Sequence, residues 1–102
     1  MSEPEFLDED DLLTLDELAR ASGVRIELIV ELVSFDILSP HGHRADEWRF
    51  PAPALERVQR ALRLRRDLEL NWPGVSLGLA LLDELGELRR RHHALLRRLG
   101  RA

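Results

Sequence analysis

Between Leu13 and Leu99 the apolar residues recur at spacings that predict four helices and one short extended segment. The first helix opens at Thr14-Leu15-Asp16-Glu17, a capping box in which the threonine hydroxyl and the glutamate carboxylate satisfy each other's backbone amides, with Leu13 and Leu18 placed as a hydrophobic staple. It carries Leu15, Leu18 and Ala19 and ends at Ser22, where Gly23 suits the left-handed turn. Ile26, Ile29, Val30 and Val33 follow at helical spacing, with Leu28 and Leu32 widening the apolar face, so two short helices joined by a glycine turn predict a helix-turn-helix. Ile37-Leu38-Ser39-Pro40 then leaves the helix, residues 41–46 form a polar tip, and Glu47-Trp48-Arg49-Phe50 returns with both aromatics on one side, which predicts a small two-stranded wing.

Pro51 and Pro53 stop the extended run, and Pro53 suits the first turn of a third helix carrying Leu55, Val58, Ala61, Leu62 and Leu68. The opposite face is Arg57, Arg60, Arg63, Arg65 and Arg66. Trp72-Pro73-Gly74 breaks the chain again, and beyond it Leu81, Leu85, Leu88, His92, Leu95 and Leu99 form a seam spaced alternately by four and three. A domain this small cannot cover such a helix, so the seam predicts pairing with a second copy, and a histidine within it predicts weaker pairing once protonated near pH 6. The expected fold class is all-α with a small β wing. The expected organisation is an acidic flexible tail over 1–12, able to dock through Phe6 and Leu7, a winged helix-turn-helix domain over 13–72, and a coiled-coil-like dimerisation helix over 73–102. Trp48, Phe50 and Trp72 are expected in the core, packing the wing and the breaker turn against the helices.

Composition narrows the chemistry. The chain has 102 residues and no cysteine, so disulfides, thiolate metal sites and cysteine nucleophiles are all excluded. No segment approaches the roughly 20 apolar residues of a membrane span, and the cytoplasm is the expected compartment. His41 and His43 lie on the wing tip and His92-His93 are helix neighbours that point about 100° apart, so neither pair predicts a metal site. No serine has a visible base partner and no glycine-rich loop follows a strand, so neither an enzyme nor a cofactor is expected.

Charge is more informative by segment than in total. The formal net charge is −4, but residues 1–20 carry −7, 21–48 carry −3, 49–66 carry +5, 67–88 carry −5 and 89–102 carry +6. The order of elements resembles the winged MerR-type layout, in which the second helix enters the major groove and the last helix forms an antiparallel pair. The chemistry of the second helix points elsewhere. Between Val24 and Ser34 the one base-edge donor is Arg25, whereas Glu27 and Glu31 would be driven toward phosphates. A MerR-like DNA-binding regulator is the alternative, and direct DNA binding is not expected.

The string Gln59-Arg60-Ala61-Leu62-Arg63-Leu64-Arg65-Arg66-Asp67-Leu68-Glu69-Leu70-Asn71-Trp72-Pro73-Gly74-Val75, followed by L-G-L-A-L-L-D-E-L over 77–85, closely resembles the CbpM family of chaperone modulators. The upstream L-T-L-D-E-L-A-R-A-S-G-V and W-R-F are similar to the same family's helix-turn-helix and wing, and the resemblance covers about residues 13–102. Arg25 at the entry of the second helix and Pro51 ahead of the third depart from the polar caps expected there. The resemblance implies a regulator without enzymatic activity that binds the J-domain of the DnaJ-like co-chaperone CbpA and inhibits its co-chaperone and DNA-binding activities. J-domains present a basic helix, so the expected contact residues are chosen on charge and exposure: Asp16, Glu17, Glu27, Glu31 and Asp36. The expected dimer interface is Leu81, Leu85, Leu88, His92, Leu95 and Leu99.

Overall fold

The structure, a computed structural model, describes residues 12–100. A strand β1 (Leu12–Thr14) runs straight into helix α1 (Leu15–Ser22), and a three-residue turn leads to α2 (Ile26–Ser34). A loop with a single 3-10 turn at Ala45–Glu47 precedes β2 (Arg49–Pro51), and α3 (Pro53–Leu68) and α4 (Trp72–Arg98) complete the chain. Residues 1–11 of the acidic tail, including Phe6 and Leu7, lie outside the described residues. Leu12, the last tail residue by sequence, is the first residue of β1.

The capping box forms as its sequence predicts: the Glu17 amide donates to Thr14 Oγ1 at 3.1 Å and the Thr14 amide donates to Glu17 Oε1 at 2.9 Å. Leu13 and Leu18 are both buried. Gly23 stands at φ 72° and lets the Val24 amide reach back to the Ala19 carbonyl at 3.1 Å. At α2 the cap position holds Arg25, whose side chain makes no capping bond, as the sequence suggests; at α3 the cap is Ala52, also without one, and Pro51, expected at that position, ends β2 instead.

The wing differs from its expected pairing. Residues 37–40 form no strand; β2 pairs instead with β1, antiparallel, with Leu12 opposite Pro51, Leu13 opposite Phe50 and Thr14 opposite Arg49. Only an isolated bridge joins His41 to Arg49, with amide–carbonyl bonds of 2.9 and 3.0 Å in the two directions. The reason is burial. Ile37 and Leu38 are needed in the core, so the chain turns inward there and their amides bond back to the Leu32 carbonyl. Gly42 makes the tip possible, because a Cβ there would lie 2.7 Å from the Glu47 carbonyl oxygen.

One core joins every helix: Leu18 from α1, Ile29 and Leu32 from α2, Phe50 from the sheet, Val58 and Ala61 from α3, and Trp72, Val75 and Leu79 from α4. The sequence Trp72-Pro73-Gly74 does not break the chain but starts α4, with Asn71 capping it by accepting the Gly74 amide at 2.9 Å. Trp72 is buried beneath the Arg65 guanidinium, 4.2 Å from the ring centroid, and Trp48 is half-buried with its ring edge-on to Phe50 at 6.1 Å. Leu68, expected in the core, is exposed because α3 ends there and the chain turns away.

Since Thr14 ends the sheet and caps α1 at once, Thr14→Ala is expected to cost about 1 kcal/mol. That lowers the melting temperature by roughly 4–8 °C for a domain of this size, to be read by thermal denaturation followed by circular dichroism; an unchanged melting temperature would contradict the capping assignment.

Candidate functional site

On α2 there are more apolar residues than one helix face can bury. Ile29 and Leu32 turn into the core with Leu28 and Val33 beside them, which leaves Ile26 39% and Val30 38% exposed, contrary to their expected core position. At 100° per residue, Glu27 and Glu31 stand next to them on the same outward side. The solvent face of α2 is therefore apolar and acidic: Ile26 and Val30 one turn apart, Glu27 and Glu31 one turn apart, and no ion pair to either glutamate among the described residues.

Where α2 starts, this face opens onto a groove of about 250 Å³ walled by Leu15 and Asp16 at the start of α1, Ile26, and Ala45, Asp46 and Trp48 of the wing. The capping box places Asp16 in the first turn of α1, and the β1–β2 register sets Trp48 one residue before the sheet. Asp16 is held by Arg20 at 2.6 Å and Asp46 by Arg44 at 3.3 Å, both pairs well exposed. Glu17 is committed to the capping box.

Of the five expected contact residues, Asp16, Glu27 and Glu31 thus border one continuous surface, with Glu17 beside Asp16 in the first turn of α1. Asp36 does not join them. It sits in the left-handed region at φ 63° after α2 and lines a different cavity, of about 350 Å³, with Ile37, Phe50, Pro51 and Arg57. The sequence reading missed Ile26, Val30 and Trp48 as surface residues, and it placed Asp46 in the polar tip without joining it to this groove. The available signal was six apolar residues among the nine of α2, an arc wider than a single core contact uses.

The arginine run of α3 is partly structural. Arg57 donates from Nε to the Ile37 carbonyl at 2.6 Å and from Nη1 to Asp83 at 3.2 Å, tying the loop after α2 to α4. Arg65 stacks on Trp72 and Arg66 pairs with Asp67 at 3.1 Å. Arg57 and Arg65 are thus engaged within the fold, whereas Arg63 and Arg66, the latter paired only with its own neighbour, stay exposed.

Helix α4 is 27 residues long, about 40 Å at 1.5 Å per residue, and Leu79 is its last buried residue. Beyond it Leu81, Leu85, Leu88, His92, Leu95 and Leu99 fall within a stripe about 80° wide and are all exposed, with Leu82 and Leu96 along one flank. Asp83, Glu84 and Glu87 stand in the first half of this stretch, and Arg89, Arg90, Arg91, Arg97 and Arg98 in the second. The Arg90 hydrogen bond at 2.7 Å, and then the charges of Arg90 and Arg91, hold the Glu87 carboxyl below its ordinary range. Among the described residues no three of His, Asp or Glu converge on a point that could hold a metal ion, and no helix is long and apolar enough to cross a membrane.

Comparison with known proteins gives a consistent result. The profile of the MerR HTH family regulatory proteins matches residues 13–97. Proteins named chaperone modulatory protein CbpM from Salmonella paratyphi A (strain ATCC 9150 / SARB42), Salmonella paratyphi B (strain ATCC BAA-1250 / SPB7) and Salmonella newport (strain SL254) are each 40% identical over 88 residues, 86% of this chain and 87% of the relative.

Arg57 links the loop behind α2 to α4 through the Ile37 carbonyl and Asp83. Removing it leaves the Ile37 carbonyl unpaired, so Arg57→Ala is expected to cost about 1–3 kcal/mol in urea denaturation. Asp83→Asn, which loses only a half-exposed ion pair, is expected to cost under about 1 kcal/mol; equal costs would show that the carbonyl bond carries little.

Proposed function

Since the chain belongs to the MerR-type helix-turn-helix family and, within it, to the CbpM chaperone modulatory proteins, we propose that it modulates a chaperone system by binding the J-domain of a DnaJ-like co-chaperone of the CbpA type, and that binding inhibits the co-chaperone and DNA-binding activities of that partner. The observation that carries this reading is the outward face of α2. A groove-reading helix needs donors for base edges and cations for phosphates. This one offers Ile26, Val30, Glu27 and Glu31. Negative charge beside exposed aliphatic side chains complements a basic protein helix and repels a nucleic acid. Asp16 and Glu17 extend the acidic surface onto α1, and Asp36 stands apart from it, outside the contact.

The exposed seam of α4 supports a second element of the reading, a homodimer. The spacing of Leu81, Leu85, Leu88, His92, Leu95 and Leu99 reads the same in both directions about Arg90. An antiparallel partner stacks Leu81 on Leu99, Leu85 on Leu95 and Leu88 on His92 of the second copy, sets Leu82 beside Leu96, and brings Glu84 to Arg98. The acidic half of each helix then faces the basic half of the other, whereas a parallel pair would oppose like charges along its whole length.

Two experiments test these elements separately. In titration of a purified J-domain, Glu27→Arg/Glu31→Arg is expected to weaken binding at least about tenfold, roughly 1.4 kcal/mol, and added salt to weaken the wild type; equal affinities for wild type and variant would remove α2 from the contact. For the seam, mixing Leu85→Cys and Leu95→Cys chains under oxidising conditions is expected to give mainly the mixed cross-link. Cross-links within each variant alone would contradict the antiparallel register.

A further inference from the structure

We propose that the groove between α1, α2 and the Trp48 segment receives an apolar side chain from a basic amphipathic helix of the partner, so that recognition rests on an inserted anchor and the acidic residues act around it. The proposal deepens the J-domain reading above and rests on it. At about 250 Å³ the groove is below the 300–1,000 Å³ of small-molecule and cofactor pockets and suits a single large side chain. The apolar half of its lining is Leu15, Ile26, Ala45 and Trp48, whose ring is braced edge-on against the fully buried Phe50. Val30, one turn beyond Ile26 and equally exposed, continues the apolar track along α2. Two footholds one turn apart match a helix that presents residues at i and i+3 or i+4.

The rim specifies the charge of that helix. Asp16 and Asp46 stand on the wall of the groove and Glu27 adjoins Ile26, while the one cation lining it, Arg49, donates to the Trp48 carbonyl of its own chain at 2.7 Å. The arginines now paired with Asp16 and Asp46 are about three-quarters exposed. Exposed pairs of this kind are worth little, so lysine or arginine side chains of a partner exchange for them at small cost. An apolar anchor with cations a turn to either side is therefore the complement of this groove. Tryptophan walls of such pockets are where binding energy concentrates, with the charged rim contributing less.

The test is equilibrium binding of the full chain to a purified J-domain lacking tryptophan, read by Trp48 emission in a Trp72→Phe background and by calorimetry in the wild type. Burial of the groove is expected to shift Trp48 emission to the blue, and Ile26→Ser and Val30→Ser, each checked for native circular dichroism, are expected to weaken binding by about tenfold. Asp46→Asn is expected to weaken it by only a few fold. Wild-type affinity in both serine variants, with no change at Trp48, would overturn the groove while leaving a J-domain contact through the acidic residues in place. A wild type that binds no J-domain would overturn the reading on which the groove depends.

Discussion

The arrangement of every surface described depends on the register of one pair of three-residue strands. Leu13 lies directly opposite Phe50, and both side chains enter the core. A strand alternates faces with a period of two, so a slip by one residue would turn Phe50 outward and Arg49 inward. The same register ends β1 at Thr14, the residue that caps α1, and holds Trp48 two residues ahead of Phe50 on the same side. It therefore fixes the distance between the first turn of α1 and the Trp48 ring, and with it the groove. Thr14, Leu13 and Phe50 act as one structural unit even though 36 residues separate the strands' paired centres.

From that frame follows a division of labour between helices. Ile29 and Leu32 complete the core with Leu28 and Val33 packed beside them, which leaves Ile26 and Val30 of α2 turned toward solvent. α4 uses its first two turns, through Trp72, Val75 and Leu79, to close the core and projects the rest as a leucine-lined rod. Of the arginines of α3, Arg57 is drawn to the Ile37 carbonyl and Arg65 to the Trp72 ring, while Arg63 and Arg66 stay exposed. Toward solvent, α2 is acidic and aliphatic, α3 is basic and α4 is amphipathic. The first and last are properties of surfaces that meet protein, and the helix-turn-helix family to which the chain belongs supplies the scaffold that displays them.

Local signals carried most of the fold into view. The capping box, the glycine at 23, the proline at 53 and the seam of α4 each act within a few residues, and the elements they predict are present. The sheet was less legible because its first strand is Leu12–Thr14, three residues at the edge of an acidic segment, with nothing in their own pattern to name Phe50 as their partner. Arg57 gave no sign of its role, since its bonds to Ile37 and Asp83 span 20 and 26 residues. Within the proposed contact, Glu27 and Glu31 were chosen from charge alone, and the structure places both on the exposed side of α2. Ile26 and Val30 were misread as core because helical periodicity identifies an apolar arc without saying which part of it the neighbours will cover, and Asp36 was grouped with the other acids although the chain turns it toward another cavity.

The central claim is that a helix-turn-helix scaffold here faces a protein and not a nucleic acid. Its most direct test places both ligands before the same protein: fluorescence anisotropy of a labelled J-domain and of a labelled DNA duplex, titrated in parallel at physiological salt. Saturable binding of the J-domain is expected, with no binding of the duplex over the same concentrations. Saturable, strongly salt-dependent binding of the duplex, with the J-domain left free, would contradict the claim.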